Sequence, residues 1–495
     1  MALHSDRLAT LSRLLEGLAS APELPITDLV RDSRRVTPGS VFLALSGQSQ
    51  HAITYAAQAV AQGAVAVVTD LAESDSRVRA VRDVPVISIP EREGLDGVIG
   101  SRFFGAPTAS MDVVAVTGTN GKSSVSWLIG QAMAVLGRRP ALMGTLGWGA
   151  LGSLSASQLT TPDALTLQRQ AAQLCYEGCD VLALEASSHA LDQARLSGTN
   201  LDVAVFTNLT RDHLDYHGSM TEYFEAKARL FDLPGLKHRV VAVDDEWGVK
   251  LGQRYPDAWL VGAPENAVRA RSVQVIDVQY ATDGVELQVE TPLGTATLRS
   301  ALIGPFNVQN LALTLAALLS MGVPLERAVD AVGAAPAPPG RLERVSELAP
   351  TVIVDYAHTP AALTAAIDAL LPHTQGKLWC VFGCGGDRDR GKRPAMAAAA
   401  SVADRLVLTS DNPRSESPAA IIEEILTGVG DVAHDIVEDR AEAIAFAVRE
   451  AREHDTVLVA GKGHEQFQVI GSRVRDFDDR VVTRLCLDQR AGSPQ

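Results

Sequence analysis

Residues 114–130, VAVTGTNGKSSVSWLIG, join an apolar run to a glycine-rich turn that is followed by a lysine. Gly118 and Gly121 would let backbone N–H groups approach a phosphate, and Lys122 would add a positive charge at the start of a helix. The Ser123 hydroxyl stands where loops of this kind ligate Mg²⁺. The spacing is shorter than the common GxxxxGK, so the loop is a shortened variant. It predicts nucleotide binding, and a structural turn without a nucleotide is the alternative.

Further along the chain, Glu185 ends an apolar run, and a carboxylate at a strand end serves either as a cap or as a metal ligand. Lys227 lies in an apolar stripe at helical spacing, where burial would favour its neutral amine. A neutral amine reacts with CO₂ to give a carbamate, an anionic ligand for a second Mg²⁺ that His213 could share. The alternatives are a lysine that extends to solvent and a surface histidine. The stripe consists of Tyr223, Phe224, Leu230 and Phe231.

Three charged motifs follow predicted strands in the last third of the chain, where open α/β sheets bind ligands. GCGGDRDRGKRP (383–394) is rich in basic residues, with a solvated basic loop as the alternative. In DNPR (411–414), Arg414 offers a planar fork for a carboxylate, and in GKGHE (461–465) Glu465 could hold an ammonium group. Together the motifs predict an amino acid site with both signs of charge. The basic residues of the first motif are Arg388, Arg390, Lys392 and Arg393.

Length and composition indicate the number of domains, the excluded partners and the compartment of the protein that carries these groups. At about 150 residues per domain, 495 residues suggest three domains. With 44 Lys plus Arg against 59 Asp plus Glu, the net charge of −15 argues against long nucleic acids as partners. We expect no secretory leader, and the longest apolar segment, 311–323, is too short to cross a bilayer. Five cysteines without zinc-ribbon spacing favour a reduced cytoplasm.

Periodicity predicts an α/β protein with two linkers. GAPTAS (105–110) separates a small α/β pattern from a second block of buried strands and helix-length segments, which implies parallel pairing with right-handed crossovers. Residues 271–302 predict a small antiparallel excursion, and 307–321 a long helix. The Pro/Gly-rich run 331–340 should continue no element and forms the second linker. The predicted strands are 40–45, 64–69, 84–89, 181–185, 203–207, 240–243, 352–355, 378–382, 405–409 and 456–460, with a further one from 111.

In type and order, these motifs resemble those of the Mur ligases. The shared motifs are TGTNGKSS, LTTPDAL, EASSHAL, FTNLTRDHLDYHG with Lys227, FNVQN, GRLE, VDYAHTP, FGCGGDRDRGKRP, DNPR and GKGHE, and the resemblance runs from DSRRVTPG (32–39) to the end. It implies an α/β fold of three domains. They are a UDP-sugar-binding domain over 1–108, a central ATP-binding domain with a P-loop parallel sheet over 109–335, and a Rossmann-like amino-acid-binding domain over 336–495.

The resemblance also implies the chemistry. In such ligases ATP phosphorylates a substrate carboxylate, and an incoming amine attacks the acyl phosphate, so that developing oxygen charge must be stabilised. The motifs are similar to those of family members that add the third residue of the peptidoglycan stem peptide. The implied substrates are ATP, UDP-N-acetylmuramoyl-L-Ala-D-Glu and a diamino acid. The implied cofactors are two Mg²⁺ ions and a carbamate formed from CO₂ on Lys227.

Carried over position by position, the motifs imply the following residues. The catalytic residues would be Lys122, Glu185, His213, Lys227, Asp355 and His358. ATP would be bound by Gly118, Thr119, Asn120, Gly121, Lys122, Ser123, Ser124, Asn307 and Arg341. The metal ligands would be Ser123, Glu185, His213 and carbamylated Lys227. The UDP-sugar dipeptide would contact Ser33, Arg34, Thr160, Thr161, Ser187, Gln193 and Arg195, and the amino acid would contact Arg388, Asp411, Asn412, Pro413, Arg414, Gly461 and Glu465.

Within this family, DNPR is the usual sign of meso-diaminopimelate, whose second carboxylate Arg414 could hold through two parallel hydrogen bonds. Lysine and ornithine lack that carboxylate and would leave Arg414 unpaired. The alternatives are the same ligase with L-lysine or L-ornithine, a folylpolyglutamate synthetase-like ligase, and a non-catalytic nucleotide-dependent switch. We expect a cytoplasmic monomer without membrane or nucleic acid partners.

Overall fold

A computed structural model describes residues 9–47, 50–90, 93–262 and 271–492. The chain forms two compact units. Unit 1 comprises residues up to Leu260 together with Ser320–Gly322, and unit 2 comprises Val261–Leu319 and Val323 onward. The division into three domains at 108 and 335 stays a prediction.

The elements alternate between strand and helix along most of the chain. The strands are β1 (Ala9–Thr10), β2 (Pro25–Ile26), β3 (Asp28–Val30), β4 (Ser40–Ala44), β5 (Ala66–Thr69), β6 (Val86–Ser88), β7 (Asp112–Thr117), β8 (Pro140–Gly144), β9 (Gly147–Ala150), β10 (Val181–Glu185), β11 (Val203–Phe206), β12 (His238–Ala242), β13 (Trp259–Val261), β14 (Ser272–Ala281), β15 (Gly284–Thr291), β16 (Gly294–Ser300), β17 (Glu343–Arg344), β18 (Thr351–Asp355), β19 (Leu378–Phe382), β20 (Arg405–Leu408), β21 (His434–Ile436), β22 (Thr456–Ala460), β23 (Phe467–Ile470) and β24 (Arg473–Asp476). The helices are α1 (Leu11–Leu14), α2 (Ala56–Ala61), α3 (Ser76–Ala80), α4 (Leu95–Phe103), α5 (Lys122–Val135), α6 (Ala164–Tyr176), α7 (Ser188–Asp192), α8 (Leu214–His217), α9 (Met220–Ala228), α10 (Glu246–Arg254), α11 (Phe306–Ser320), α12 (Leu325–Gly333), α13 (Pro360–Leu370), α14 (Lys392–Ala400), α15 (Pro418–Leu426), α16 (Arg440–Glu450) and α17 (Asp479–Gly492).

Unit 1 begins with a four-stranded parallel sheet in the order β3–β4–β5–β6. Every residue of β4 is buried because helices and loops cover both faces of this sheet. Leu95 and Ile99 of α4 pack on one face, and Ala56 and Ala59 of α2 pack on the other. The three strands predicted for this part of the chain are confirmed, each shorter than predicted by one to three residues.

The second sheet of unit 1 positions the glycine loop. Its strands run in the order β12–β11–β7–β10–β8–β9, and all are parallel except β9. The chain leaves β7 toward β8 on one side and later places β11 on the other side. The order therefore reverses at β7, and ligands bind at the carboxyl ends of strands around such a point. The loops after β7, β10 and β11 emerge there, side by side.

Unit 2 contains the antiparallel strands β14, β15 and β16, which confirm the predicted excursion. Its main sheet has the order β17–β18–β22–β19–β20–β21, and all strands except β17 are parallel. The predictions for β19 and β22 match to the residue. Because β22 lies between β18 and β19, the loops after β18, β19, β20 and β22 share one edge of the sheet.

The linker prediction for 331–340 is wrong at its start. Helix α12 continues through Ala331 and Val332 to Gly333. Both side chains are fully buried, so their packing holds the last turn in spite of the glycine and prolines that follow. The sequence analysis also missed the hairpin β23–β24, whose strands are short and largely exposed.

Two smaller predictions concern membranes and cysteines. Within the described residues, every helix is too short or too polar to span a bilayer. All five cysteines are free. Cys179, Cys380 and Cys384 are buried, as small apolar residues would be, whereas Cys175 and Cys486 are half-buried.

We predict that Asp479→Asn destabilises unit 2. Arg440 and Asp479 are fully buried and joined by two hydrogen bonds of 2.7 Å. Removing one charge of such a pair leaves the other uncompensated and costs about 3–5 kcal/mol. Urea unfolding, followed at the transition of unit 2, measures the loss. The control is Glu450→Gln in the exposed pair with Arg449, expected to cost less than about 1 kcal/mol, and equal losses in both variants would contradict the prediction.

Candidate functional site

The glycine loop lies between β7 and α5, as predicted. Gly118 and Gly121 have φ of 148° and 84°, a region that favours glycine. A Cβ on Gly118 would collide with the Thr207 hydroxyl. Lys122 begins α5, and its Nζ donates to the carbonyl oxygens of Gly118 at 2.9 Å and Thr119 at 2.8 Å. The lysine charge is therefore held against the loop backbone.

The loop after β11 fixes the shape of the glycine loop. The Asn120 N–H donates to Asn208 Oδ1 at 3.0 Å, and the Thr119 hydroxyl lies 3.2 Å from the Tyr223 hydroxyl. The Thr210 N–H donates to Thr119 Oγ1 at 3.0 Å. Loop conformation thus depends on side chains about 90 residues downstream. Ser123 and Ser124 lie half-buried in the first turn of α5.

Lys227 is buried inside this site, with 1% of its surface exposed. Its Nζ donates to Gly118 O at 2.7 Å and lies 4.5 Å from the centre of the Tyr223 ring. Burial, reinforced by the nearby charge of Lys122, lowers the pKa of Lys227 well below its ordinary value. The predicted apolar stripe is confirmed, although Leu230 and Phe231 belong to a 3-10 turn after α9. The lowered pKa favours the neutral amine, the form that reacts with CO₂.

Glu185 ends β10 and is 2% exposed. Its Oε1 accepts from the Thr145 N–H at 2.7 Å, and its Oε2 accepts from the Thr145 hydroxyl at 3.2 Å. Gly144 leaves room for this carboxylate, because a Cβ there would collide with it. Glu185 therefore caps a neighbouring loop and still has lone pairs for a cation.

Five residues predicted to contact the sugar dipeptide surround Glu185. The Thr161 hydroxyl donates to Glu185 O at 2.7 Å and to Ser187 Oγ at 3.3 Å. Arg195 donates to Thr161 O at 2.8 Å and to Gln193 Oε1 at 2.7 Å, and burial lowers the pKa of its guanidinium. The structure brings this group together. The fifth member is Thr160, whose hydroxyl lies 3.2 Å from that of Thr145.

Two histidines that the sequence analysis missed adjoin His213. The His213 ring is 48% exposed, with Nε2 3.4 Å from Asp212, and its centre lies 5.0 Å from the His189 ring. His217 Nε2 lies 2.9 Å from Ser188 Oγ, and its ring lies 5.5 Å from His189. Burial lowers the pKa of both His189 and His217. Both histidines lie within the motifs EASSHAL and DHLDYHG, and this position could have indicated that they belong to the site.

Among the described residues, no three His, Cys, Asp or Glu side chains converge as ligands of a metal ion. Mg²⁺ is bound in proteins through one or two carboxylates completed by phosphates and water, so a full protein cage is not required. The Ser123 hydroxyl and the Glu185 carboxylate are hard oxygen donors of the type Mg²⁺ prefers. The neutral amine of Lys227 could become an oxygen donor as a carbamate. The donor set therefore fits the predicted metals when nucleotide phosphates are present.

Ser33 and Arg34 lie in a 3-10 turn of the N-terminal sheet. The Ser33 hydroxyl donates to Gln58 Oε1 at 3.1 Å, whereas Arg34 is 81% exposed and pairs with Asp32. A cavity of about 130 Å³ opens beside the turn. Its charged lining consists of Asp28, Arg31, Asp32, Arg35, Asp163 and Arg169.

In unit 2, the DNPR loop follows β20 and is held by the hairpin β23–β24. The Arg414 N–H donates to Val469 O at 3.1 Å, and the Gly471 N–H donates to Arg414 O at 2.6 Å. Arg414 has φ of 50°, and its side chain donates to Gly386 O at 2.7 Å. Pro413 precedes it and is buried. The backbone of the hairpin thus sets the direction of the arginine.

The GKGHE loop after β22 contacts the DNPR loop directly. The Asn412 side-chain amide donates to Glu465 Oε2 at 3.0 Å. A Cβ on Gly461, which has φ of 118°, would lie 2.9 Å from Asp411 Oδ2. Burial raises the pKa of Asp411, and the charges of Arg440 and Lys462 oppose that shift. These contacts join the two motifs into one cluster of charged and polar side chains.

Three of the four basic residues in 383–394 have structural partners. Arg393 is fully buried, bonds Glu416 and Glu424 at 2.8 Å, and holds the pKa of Glu416 at about 2. Arg390 pairs with Glu424, and Lys392 donates to the His358 carbonyl. The alternative of a solvated basic loop is therefore wrong for Arg393. By contrast, Arg388 is exposed and makes no ion pair with any described residue.

Three of the four residues predicted to adjoin ATP in this half of the chain surround Tyr356. Asp355 ends β18 and accepts two backbone N–H groups at 2.8 Å, and burial raises the pKa of its carboxyl. The Arg341 guanidinium lies 5.5 Å and the His358 ring 4.6 Å from the Tyr356 ring. The sequence analysis missed Tyr356 itself. Asn307, in contrast, bonds within its own segment, to Ile303 O and Asn310.

Comparison with known proteins gives concordant matches. Family profiles described as "Mur ligase middle domain" and "Mur ligase, glutamate ligase domain" match residues 116–318 and 340–463. A protein of Alkalilimnicola ehrlichii named UDP-N-acetylmuramoyl-L-alanyl-D-glutamate–2,6-diaminopimelate ligase is 44% identical over 98% of this chain and 100% of its own length. A solved structure with the same name has 34% identity and a TM-score of 0.77, and the alignment covers 98% of this chain and 100% of that one.

A more distant structure shows how far the fold extends. Mycobacterium tuberculosis folylpolyglutamate synthase, solved with ADP and AMPPCP, is 21% identical with a TM-score of 0.58, covering 81% of this chain and 96% of its own. At this identity the likeness shows the fold alone.

We predict that Lys227→Met stabilises unit 1 at neutral pH in CO₂-depleted buffer. Because the folded-state pKa of Lys227 is lowered, the unfolded chain binds a proton there that the folded chain does not. The penalty on the wild type is greatest below the folded-state pKa and falls as pH rises toward the unfolded value near 10.4. The unfolding temperature should rise by about 2–4 °C per kcal/mol recovered, and the difference should shrink between pH 7 and pH 9.5.

The matched control is Lys250→Met, at an exposed lysine of the same unit. Thermal unfolding of both variants and the wild type checks the prediction. A less stable Lys227→Met protein, with a difference from wild type independent of pH, would contradict it.

Proposed function

The chain belongs to the Mur ligase family, and we propose that it joins meso-diaminopimelate to the γ-carboxylate of D-Glu in UDP-N-acetylmuramoyl-L-Ala-D-Glu, with ATP converted to ADP and phosphate. It is an ADP-forming amide ligase of peptidoglycan biosynthesis. The observation that carries the acceptor assignment is the pocket formed by the DNPR and GKGHE loops. In that pocket Arg414 is directed by backbone bonds and Glu465 by Asn412.

In the first half-reaction, the carboxylate attacks the terminal phosphorus of ATP and ADP leaves, which yields an acyl phosphate. The glycine loop supplies backbone N–H groups, and Lys122 moves its charge from the loop carbonyls to the transferred phosphoryl group. Thr161, Ser187 and Arg195 would orient the substrate beside Glu185. Holding two bound reactants in the reactive orientation lowers the activation free energy by a large share.

Ser123 and Glu185 would hold one Mg²⁺, and His213 with carbamylated Lys227 would hold a second. Bound there, the ions would neutralise charge that develops on the phosphoryl oxygens. Burial of Lys227 and its lowered pKa support the carbamate, since only a neutral amine adds to CO₂. Asp355, His358, Arg341 and Asn307 would adjoin the nucleotide.

In the second half-reaction, the amine of the acceptor attacks the acyl carbon, and phosphate leaves as the tetrahedral intermediate collapses. Arg414 would bind the distal carboxylate of diaminopimelate through two parallel hydrogen bonds, and Arg388, which makes no ion pair with any described residue, would add a second positive charge. Glu465 would bind an ammonium group. L-Lysine and L-ornithine lack the second carboxylate and would leave Arg414 without an anionic partner, its side chain bonded to Gly386 O.

We propose that the enzyme works as a monomer in the cytoplasm. Five free cysteines suit a reducing compartment, and the substrates are small molecules. The folylpolyglutamate-type reaction is disfavoured because the DNPR and GKGHE loops form one charged pocket here.

A competition assay tests the acceptor. Purified protein receives ATP, Mg²⁺, UDP-N-acetylmuramoyl-L-Ala-D-Glu and equal concentrations of meso-diaminopimelate, L-lysine and L-ornithine, and the products are resolved by mass. We expect the diaminopimelate adduct to exceed the others at least about 100-fold, because an acceptor without the second carboxylate cannot form the ion pair with Arg414. A lysine or ornithine adduct as the main product, or ADP release only with folate substrates, would refute the assignment.

Lys227→Ala should lose ligation and retain its fold. The alanine leaves a cavity where the carbamate would stand, so acetate or a short aliphatic carboxylate should restore part of the activity. Initial rates with and without the added acid measure the rescue. The matched control is Lys237→Ala, at an exposed lysine of unit 1, and full activity in Lys227→Ala would remove the carbamate from the mechanism.

A further inference from the structure

Lys462, the second residue of GKGHE, is fully buried beside the acceptor pocket. Its Nζ lies 3.0 Å from Glu465 Oε2, 3.5 Å from Asn412 Oδ1 and 3.8 Å from Asp411 Oδ1. A buried ammonium group is costly unless it is paired and hydrogen-bonded. All three partners belong to the DNPR and GKGHE loops, so the cation serves this pocket.

The contacts of Lys462 fix which part of Glu465 is available. Glu465 Oε2 accepts from both Lys462 and Asn412, at 3.0 Å each. Glu465 Oε1 makes no hydrogen bond to any described residue, and the side chain is 25% exposed. The carboxylate is therefore anchored through one oxygen and free at the other. An ammonium group would find Oε1 already oriented.

The charges around Lys462 can be counted. Arg440 is matched by Asp479, in a pair that is fully buried. Lys462 stands against two carboxylates, Asp411 and Glu465. One cation against two anions leaves one negative charge in this part of the pocket, enough for one ammonium group.

We propose that Lys462 is a positioning residue that anchors Glu465 and Asn412 and offsets one of the two carboxylates, so that the pocket accepts a single ammonium group of the acceptor. The inference rests on the proposed ligase function and names a residue that this function did not use. Without Lys462, Glu465 can rotate and the two carboxylates repel each other. The acceptor then binds weakly, whereas ATP and the nucleotide sugar are unaffected.

A positioning role and a general structural role of Lys462 change different kinetic parameters. Lys462→Met, which keeps the length and apolar stem of the side chain, should raise KM for diaminopimelate at least about tenfold, equal to about 1.4 kcal/mol. The kcat and the KM for ATP should stay within about threefold of wild type. A residue that only stabilises unit 2 would lower the unfolding temperature without this separation.

A double-mutant cycle tests whether Lys462 acts through Glu465. Glu465→Gln alone should also raise KM for the acceptor, and the double variant should be no worse than the poorer single variant, because the two residues form one interaction. The matched control is Lys377→Met, at an exposed lysine of unit 2, which should leave all parameters unchanged. Should Lys462→Met fail to fold, Lys462→Leu, which also removes the charge and the donor to Glu465 and Asn412, undergoes the same measurements.

The measurement on wild-type protein distinguishes failure of the proposed ligase function from failure of the positioning role of Lys462. If wild-type protein ligates no diamino acid, the proposed function fails. If it ligates diaminopimelate while the Lys462 variant keeps wild-type KM for the acceptor, the positioning role is overturned. Additive effects in the cycle, or equal losses in kcat and in both KM values, would overturn it as well.

Discussion

The glycine loop depends on two lysine side chains that donate to one of its carbonyl oxygens, that of Gly118. Two ammonium groups that share one carbonyl repel each other, and burial together with the nearby charge of Lys122 lowers the pKa of Lys227 well below its ordinary value. The same arrangement explains why the glycine loop needs support from the loop after β11, because the carbonyl must stay aimed at both amines. The shape of the loop therefore affects both the pKa of Lys227 and the position of Lys122, because both amines contact the same carbonyl oxygen.

The DNPR and GKGHE loops of unit 2 follow the same architectural rule with different side chains. Adjacent parallel strands bring their carboxyl-terminal loops to one edge, and here those loops carry Asp411, Arg414 and Glu465. Most of the charges nearby are matched inside the protein, as Arg393 is by Glu416 and Glu424. The charged groups that lack an internal partner remain available to a ligand. The charges that the fold leaves without a counter-charge therefore determine which ligand can bind.

Apolar periodicity and strand-end motifs predicted most of the fold, including β10, β19 and β22 to the residue. They also predicted the burial of Lys227, since its stripe of neighbours is local in sequence. The failures have physical causes. Residues 331–333 stay helical because two of their side chains are buried by tertiary packing, and Arg393 lies in the core because two distant glutamates meet it. The His189 ring contacts the rings of His213 and His217 only once α7 and α8 are folded. Two of the three partners of Lys462, Asp411 and Asn412, lie about 50 residues away in another loop.

The hairpin β23–β24 grips Arg414 through main-chain atoms alone, the carbonyl of Val469 and the N–H of Gly471. Such a grip is indifferent to the identity of the hairpin side chains. It is sensitive to the number of residues, because a strand that slips by one position turns each side chain to the opposite face. During divergence, point mutations at the exposed positions of this hairpin are expected to accumulate, whereas Gln468, whose buried amide donates to Asp411 O, and the number of residues are expected to be retained. A lineage that adopted another acceptor would therefore change the arginine itself before it changed the length of the segment that holds it.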